Sequence, residues 1–159
     1  ELADRISRDY KDKNLLVVGV LKGSVLYAAE LIKNITVPCE IDFMAVSSYG
    51  NSTETSGVVR ILKDLDHSIE GKDILIVEDI VDSGVTLDYL LKYLKARKAN
   101  SINITTLLNK EARRKVDIDV KYVGFEVPDE FIVGYGIDYA EKYRNLPFIG
   151  ILKPEVYER

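Results

Sequence analysis

Along most of the chain, continuous apolar runs alternate with amphipathic stretches, the pattern of strands and helices taken in turn. Residues 15–20 are short and uninterruptedly apolar, which predicts a strand covered on both faces. Ser24 then stands where it can cap a helix, and Val25, Ala28, Ala29 and Ile32 fall on one face at helical spacing. Residues 40–47 and 58–62 predict a second and third strand, and residues 73–77 another apolar strand ending in Glu78 and Asp79. After Thr86, Leu87, Leu90, Leu91 and Leu94 make a helical stripe, with Lys92, Lys95, Arg97 and Lys98 at the end where cations are favoured. Residues 102–108 predict a strand. Residues 122–125, 131–133 and 148–152 predict shorter ones with no long helices between them. The expected class is α/β: a mostly parallel twisted sheet flanked by helices, followed by a small strand-rich hood.

Composition narrows the function. The 159 residues suit a single domain, 1–159, and no repeat or linker interrupts them. Glu1 reads as helix interior, so a trimmed N-terminus is expected. A net charge of −4 argues against nucleic acid or an anionic membrane as partner, since both reward a basic surface. The single cysteine, Cys39, excludes a disulfide within the sequence and reads as a packed, unreactive thiol. The single histidine, His67, reads as an exposed turn residue, which removes a Ser-His-Asp triad and a histidine metal site. No apolar run is long enough to span a bilayer and no signal peptide opens the sequence, so a reducing cytoplasm is the expected compartment.

In open parallel sheets ligands sit beyond the carboxyl ends of the strands, which selects residues 21–24, 78–86 and 109–114. The middle segment is the most informative. An apolar strand runs into Glu78 and Asp79, and Asp82, Ser83, Gly84 and Thr86 follow at the start of a helix. Successive backbone N–H groups, hydroxyls and a helix N-terminus around one point make a phosphate cradle. Glu78 and Asp79 suit sugar hydroxyls or a hydrated Mg²⁺ ion. A simple acidic helix cap needs one acid, whereas this segment has three acids and two hydroxyls.

The run Val77-Glu78-Asp79-Ile80-Val81-Asp82-Ser83-Gly84-Val85-Thr86 resembles the phosphoribosyl pyrophosphate motif of type I phosphoribosyltransferases. The likeness extends through Leu21-Lys22-Gly23-Ser24, Ser47-Ser48-Tyr49-Gly50, Leu107-Leu108-Asn109-Lys110, residues 123–129, residues 131–139 and Tyr143-Arg144. It is greatest to the short bacterial hypoxanthine-guanine branch. The resemblance implies the type I phosphoribosyltransferase fold and a purine salvage reaction using phosphoribosyl pyrophosphate, hypoxanthine or guanine, and Mg²⁺, in a homodimer or homotetramer.

Residue by residue, it implies Asp82 as general base and Ser83, Gly84, Val85 and Thr86 around the 5′-phosphate. Glu78 and Asp79 would face the ribose and magnesium. Lys22 and Gly23, joined to Leu21 through a cis peptide, would hold pyrophosphate with Ser48, Tyr49 and Arg144. Lys110, Phe131 and Ile132 would contact the purine, and Asp138 would lie on the purine side with a second magnesium. Phe125 is expected in the core, Arg113 and Arg114 on the surface with Arg114 a further pyrophosphate candidate, and residues 47–56 as a mobile lid. Two departures from the family pattern are Ser24, where a second glycine is common, and Gly136, where a larger residue can stand. A non-enzymatic, nucleotide-responsive regulator on the same fold is the alternative. An aspartyl-nucleophile phosphatase is disfavoured, because Glu78 rather than an aspartate opens the acidic set.

Overall fold

The computed structural model describes residues 1–48 and 59–158. Six strands form the main sheet: β1 (Leu15–Leu21), β2 (Glu40–Ser48), β3 (Val59–Lys63), β4 (Asp73–Val81), β5 (Ser101–Asn109) and β6 (Tyr122–Glu126). Their order across the sheet is β3-β2-β1-β4-β5-β6. All neighbours are parallel except β2 and β3. Helices α1 (Leu2–Asp9), α2 (Val25–Asn34) and α3 (Val85–Lys95) cover the sheet, and a short α4 (Pro154–Tyr157) follows the hood. The hood pairs β7 (Ile132–Val133) with β8 (Gly150–Ile151), antiparallel. No helix among the described residues is long and apolar enough to cross a membrane.

The apolar runs of β1 and β4 are continuous because both sheet faces are covered. Leu15, Val17, Leu75 and Val77 join Ile6, Tyr10, Ala28 and Leu31 of α1 and α2 and the turn after α1. The intervening Leu16, Val18, Val20, Ile74 and Ile76 join Leu87, Leu90 and Leu94 of α3. From β1 the chain moves to β2 on one side, and from β4 to β5 on the other. The connections after β1 and β4 therefore diverge, leaving a crevice at their carboxyl ends.

Several expectations change. β4 runs through to Val81, because β5 is long enough to keep pairing as far as Val81↔Asn109; Glu78 and Asp79 therefore lie within the strand. The rear strands divide: Tyr122–Glu126 forms the edge of the main sheet, parallel to β5, and only the later two make the hood. Phe125 is 63% exposed, since β6 is an edge strand. On α2 the buried residues are Tyr27, Ala28 and Leu31, while Val25 and Ala29 face solvent. The inward Tyr27 ring packs in the apolar core, and its hydroxyl shares a hydrogen bond of 2.7 Å with Thr105 Oγ1. Ser24 does occupy the N-cap position, but in a helical backbone conformation, and its buried hydroxyl has no partner among the described residues. Cys39 is half-buried against the α1–α2 core, and burial pushes its thiol pKa up. His67 lies in an exposed bend.

Candidate active site

The crevice holds two adjoining cavities. One, of about 240 Å³, is lined by Glu78, Ser83, Gly84, Thr86 and Leu87, with Val20 and Val46 from β1 and β2. Gly84 is the N-cap of α3 and has φ 82°, a conformation that favours glycine. The amides of α3's first turn thus open toward a cavity edged by two hydroxyls, the geometry of an anion cradle. Ser83 Oγ also accepts the Val85 N–H at 3.4 Å, and the Ser83 carbonyl accepts the Lys115 N–H at 2.9 Å.

The other cavity, of about 300 Å³, is lined by Lys110, Phe131, Ile132, Ile137, Tyr157 and neighbours. Lys110 is only 7% exposed, and its Nζ donates to the Glu130 carbonyl at 2.8 Å. An ammonium has three donors, and among the described residues one of them is used by Glu130. Phe131 is partly exposed, stacks on Tyr157 with ring centroids 4.8 Å apart, and meets the Tyr139 ring edge to face. Ile132 is held in place by the β7–β8 pairing.

Asp82 and Ile80 line both cavities. Asp82 Oδ1 is buried and has no hydrogen-bond partner among the described residues. A buried acceptor left unpaired is costly, and a ligand N–H at the junction would satisfy it.

Glu78 and Asp79 are half-buried neighbours. Burial, then the adjacent Asp79 charge, pushes the Glu78 pKa well up. Burial also raises Asp79, while hydrogen bonds, first of all from the Ile80 amide, and then the positive charge of Arg144 oppose the rise. Asp79 packs directly against Gly23, where any β-carbon would overlap its carboxylate. Gly136 (φ 99°) leaves the same kind of room for the Gly23 carbonyl, so hood and loop meet through two glycines. This explains the small residue at position 136.

The Leu21–Lys22 peptide is cis. Lys22 Nζ reaches Glu141 Oε2 at 3.2 Å. Arg144 donates to the Gly136 carbonyl at 2.7 Å and lies 3.5 Å from Asp138 Oδ1. Asp138 is engaged with Arg144 and with the Glu141 amide, beside the second cavity's lining rather than within it. Among the described residues, no group of three or more histidine, cysteine, aspartate or glutamate side chains converges as a metal site. The expected metal residues therefore separate into the Glu78–Asp79 pair and Asp138. Ser48 ends β2, whereas Tyr49 and most of the expected lid at residues 47–56 lie outside the described residues.

Three roles escaped sequence reasoning. Arg114, expected at the surface or on pyrophosphate, is half-buried and donates to the Asp82 carbonyl at 3.1 Å. Tyr157 walls the second cavity, and Glu141 faces both Lys22 and Arg144. No local pattern marks any of them, because their partners are distant in sequence or share no motif spacing.

The family model described as the phosphoribosyl transferase domain matches residues 1–140. The chain is 60% identical over 158 residues to a hypoxanthine-guanine phosphoribosyltransferase of Bacillus subtilis, an alignment covering 99% of this chain and 88% of that protein. A crystal structure of a hypoxanthine phosphoribosyltransferase from Staphylococcus aureus superposes with a TM-score of 0.97 at 55% identity, covering 99% of this chain and 86% of that one. A hypoxanthine-guanine phosphoribosyltransferase from Bacillus anthracis superposes with a TM-score of 0.91 at 53% identity, covering 96% and 89%. The cradle, the base-sized cavity and these likenesses together establish that the chain belongs to the phosphoribosyltransferase family, in its hypoxanthine-guanine branch.

Proposed function

We propose that the chain transfers the 5-phosphoribosyl group from phosphoribosyl pyrophosphate to hypoxanthine or guanine, giving IMP or GMP and pyrophosphate in a magnesium-dependent salvage reaction. The observation that carries this reading is the position of Asp82, which lines both cavities at once. A base in one cavity and a phosphorylated ribose in the other would meet beside it.

In this reading the Ser83–Thr86 turn holds the 5′-phosphate through backbone N–H groups and hydroxyls. Lys110 donates to the purine O6 and Ile132 bonds the base through its backbone. Phe131 covers the ring, in partnership with or in exchange for Tyr157. As the bond from ribose C1 to the pyrophosphate oxygen breaks and the bond from C1 to a purine nitrogen forms, Asp82 Oδ1 accepts the purine proton. Lys22 and Arg144 take up charge on the leaving pyrophosphate.

Glu78 and Asp79 offer hard oxygen donors whose pKa values are raised first by burial and, for Glu78, next by the adjacent Asp79 charge. That setting fits ribose hydroxyls and a Mg²⁺ ion held by one or two carboxylates together with substrate phosphates. Bound there, magnesium supplies positive charge to the pyrophosphate end.

A cytoplasmic location agrees with the lone, half-buried cysteine. Self-association would cover Phe125, Phe148 and Ile149, exposed apolar residues around a groove of about 610 Å³. The test is direct: incubate the protein with Mg²⁺, phosphoribosyl pyrophosphate and hypoxanthine. IMP and pyrophosphate should appear in equal amounts. Nucleotide binding without turnover would instead indicate a regulator.

A further inference from the structure

Glu141 sits at the tip of a turn that lies between two residues of the site. Its backbone is left-handed (φ 66°), as is that of Ala140 (φ 51°). The Glu141 amide donates to Asp138 Oδ2 at 2.9 Å, and Tyr139 and Lys142 exchange backbone bonds of 3.0 and 2.9 Å beneath it. The carboxylate is therefore presented by a pinned turn. Its Oε2 lies 3.2 Å from Lys22 Nζ and 3.4 Å from Arg144 Nη2. Lys22 arrives from the loop after β1, 119 positions away in sequence. The two cations assigned above to pyrophosphate thus share one oxygen of one exposed carboxylate. The Glu141 pKa is lowered, first by the bond from Lys22 and then by the Arg144 charge.

We propose that Glu141 is a resident stand-in for pyrophosphate, occupying the Lys22–Arg144 pair in the free protein and yielding it when phosphate oxygens arrive. The proposal rests on the reading that these two cations hold pyrophosphate. A phosphate group carries more charge than a carboxylate and makes stronger charge-assisted hydrogen bonds in greater number, so it wins the competition. The competition still weakens pyrophosphate binding, and the returning carboxylate gives both cations a partner as product departs. Glu141 acts through the cations and not on the reacting atoms, which makes it a positioning residue.

Glu141→Gln keeps the size of the side chain and removes its charge. Exposed ion pairs are individually weak, so the expected gain is a few-fold, about three- to tenfold tighter pyrophosphate binding in calorimetric titration with Mg²⁺. The KM for phosphoribosyl pyrophosphate should fall by a similar factor while kcat does not rise. Glu70→Gln removes the same charge at the opposite end of the sheet and should change neither quantity. In a Lys22→Ala background the gain from Glu141→Gln should shrink, showing coupling between the two positions.

Unchanged or weaker pyrophosphate binding in Glu141→Gln overturns the proposal, as does an equal gain in Glu70→Gln. A wild-type protein that forms no IMP would defeat the enzymatic reading alone, because the titration reads the stand-in without turnover. One that binds no pyrophosphate would defeat the stand-in as well.

Discussion

Arg114 Nε donates to the main-chain oxygen of Asp82 at 3.1 Å, while its Nη2 bonds the side chain of Asn109. The segment after β5 thereby braces the loop that carries the proposed base. Backbone bonds from Lys110 to Val81 and from Lys115 to Ser83, both 2.9 Å, complete the brace. Arg114→Ala should leave the fold intact and let the Asp82 loop shift. A misplacement of about 1 Å can cost ~10²-fold in rate, so kcat with hypoxanthine should fall by about that factor. Arg114→Lys, a point charge in place of a planar fork, should recover only part of the loss. Steady-state kinetics decide the matter, and a kcat near wild type for Arg114→Ala rejects the brace.

Asp82→Asn should lower the forward rate by ~10²–10⁴-fold, the usual cost of losing a general base. The amide keeps the shape of a residue whose Oδ1 is buried and unpartnered among the described residues, so thermal stability should hold or rise. A variant that melts normally and turns over at the wild-type rate would remove Asp82 from the mechanism.

Lys110 should decide between oxo and amino purines. Its Nζ is fixed by the Glu130 carbonyl and can donate to O6 but cannot accept from an amino group. A site built to bond one group can reject its mismatch by ~10⁴-fold. Lys110→Ala should therefore lose far more kcat/KM with hypoxanthine than with adenine. Parallel losses for the two bases would show that Lys110 serves structure only.

Stability in acid should depend on Asp42, which lies on β2 away from the crevice. Its carboxylate accepts the Phe43 and Asp66 amides at 2.7 and 2.8 Å and the Lys63 ammonium at 3.2 Å. Burial raises its proton affinity, but those donors outweigh burial and hold the pKa below the ordinary 3.8. A carboxyl with a depressed folded pKa contributes stability above its unfolded value and loses it as pH falls through the folded one. Asp42→Asn should therefore destabilise by about 1.5–3 kcal/mol at pH 7. For a chain of this size that lowers Tm by roughly 2–4 °C per kcal/mol. The gap from wild type should narrow as pH drops below 3.8. A pH-independent gap in thermal melts would rule out the carboxylate as its source.

What could be read from the sequence was whatever is local or repeated at a fixed period. Residues 73–77 are apolar at every position because both faces of β4 are covered, and that alone marks a central strand. The Asp82–Thr86 run is legible because an anion cradle consists of consecutive amides and hydroxyls within one turn of backbone. Spacing did not show that Tyr27 rather than Val25 faces the core, since the seating of α2 on the sheet makes that choice and the Tyr27 hydroxyl then finds Thr105 there. Nor did it show that β4 carries Glu78 and Asp79 inside the sheet, which depends on how far β5 continues beside it. The joint membership of Asp82 in two cavities, the brace from Arg114 and the meeting of Lys22 with Glu141 all follow from strand order and from the hood folding back onto the loop after β1. Residues up to 119 positions apart become neighbours there. Such contacts carry no period and no local propensity, because they are selected by the packing of whole elements, and only the tertiary structure decides them.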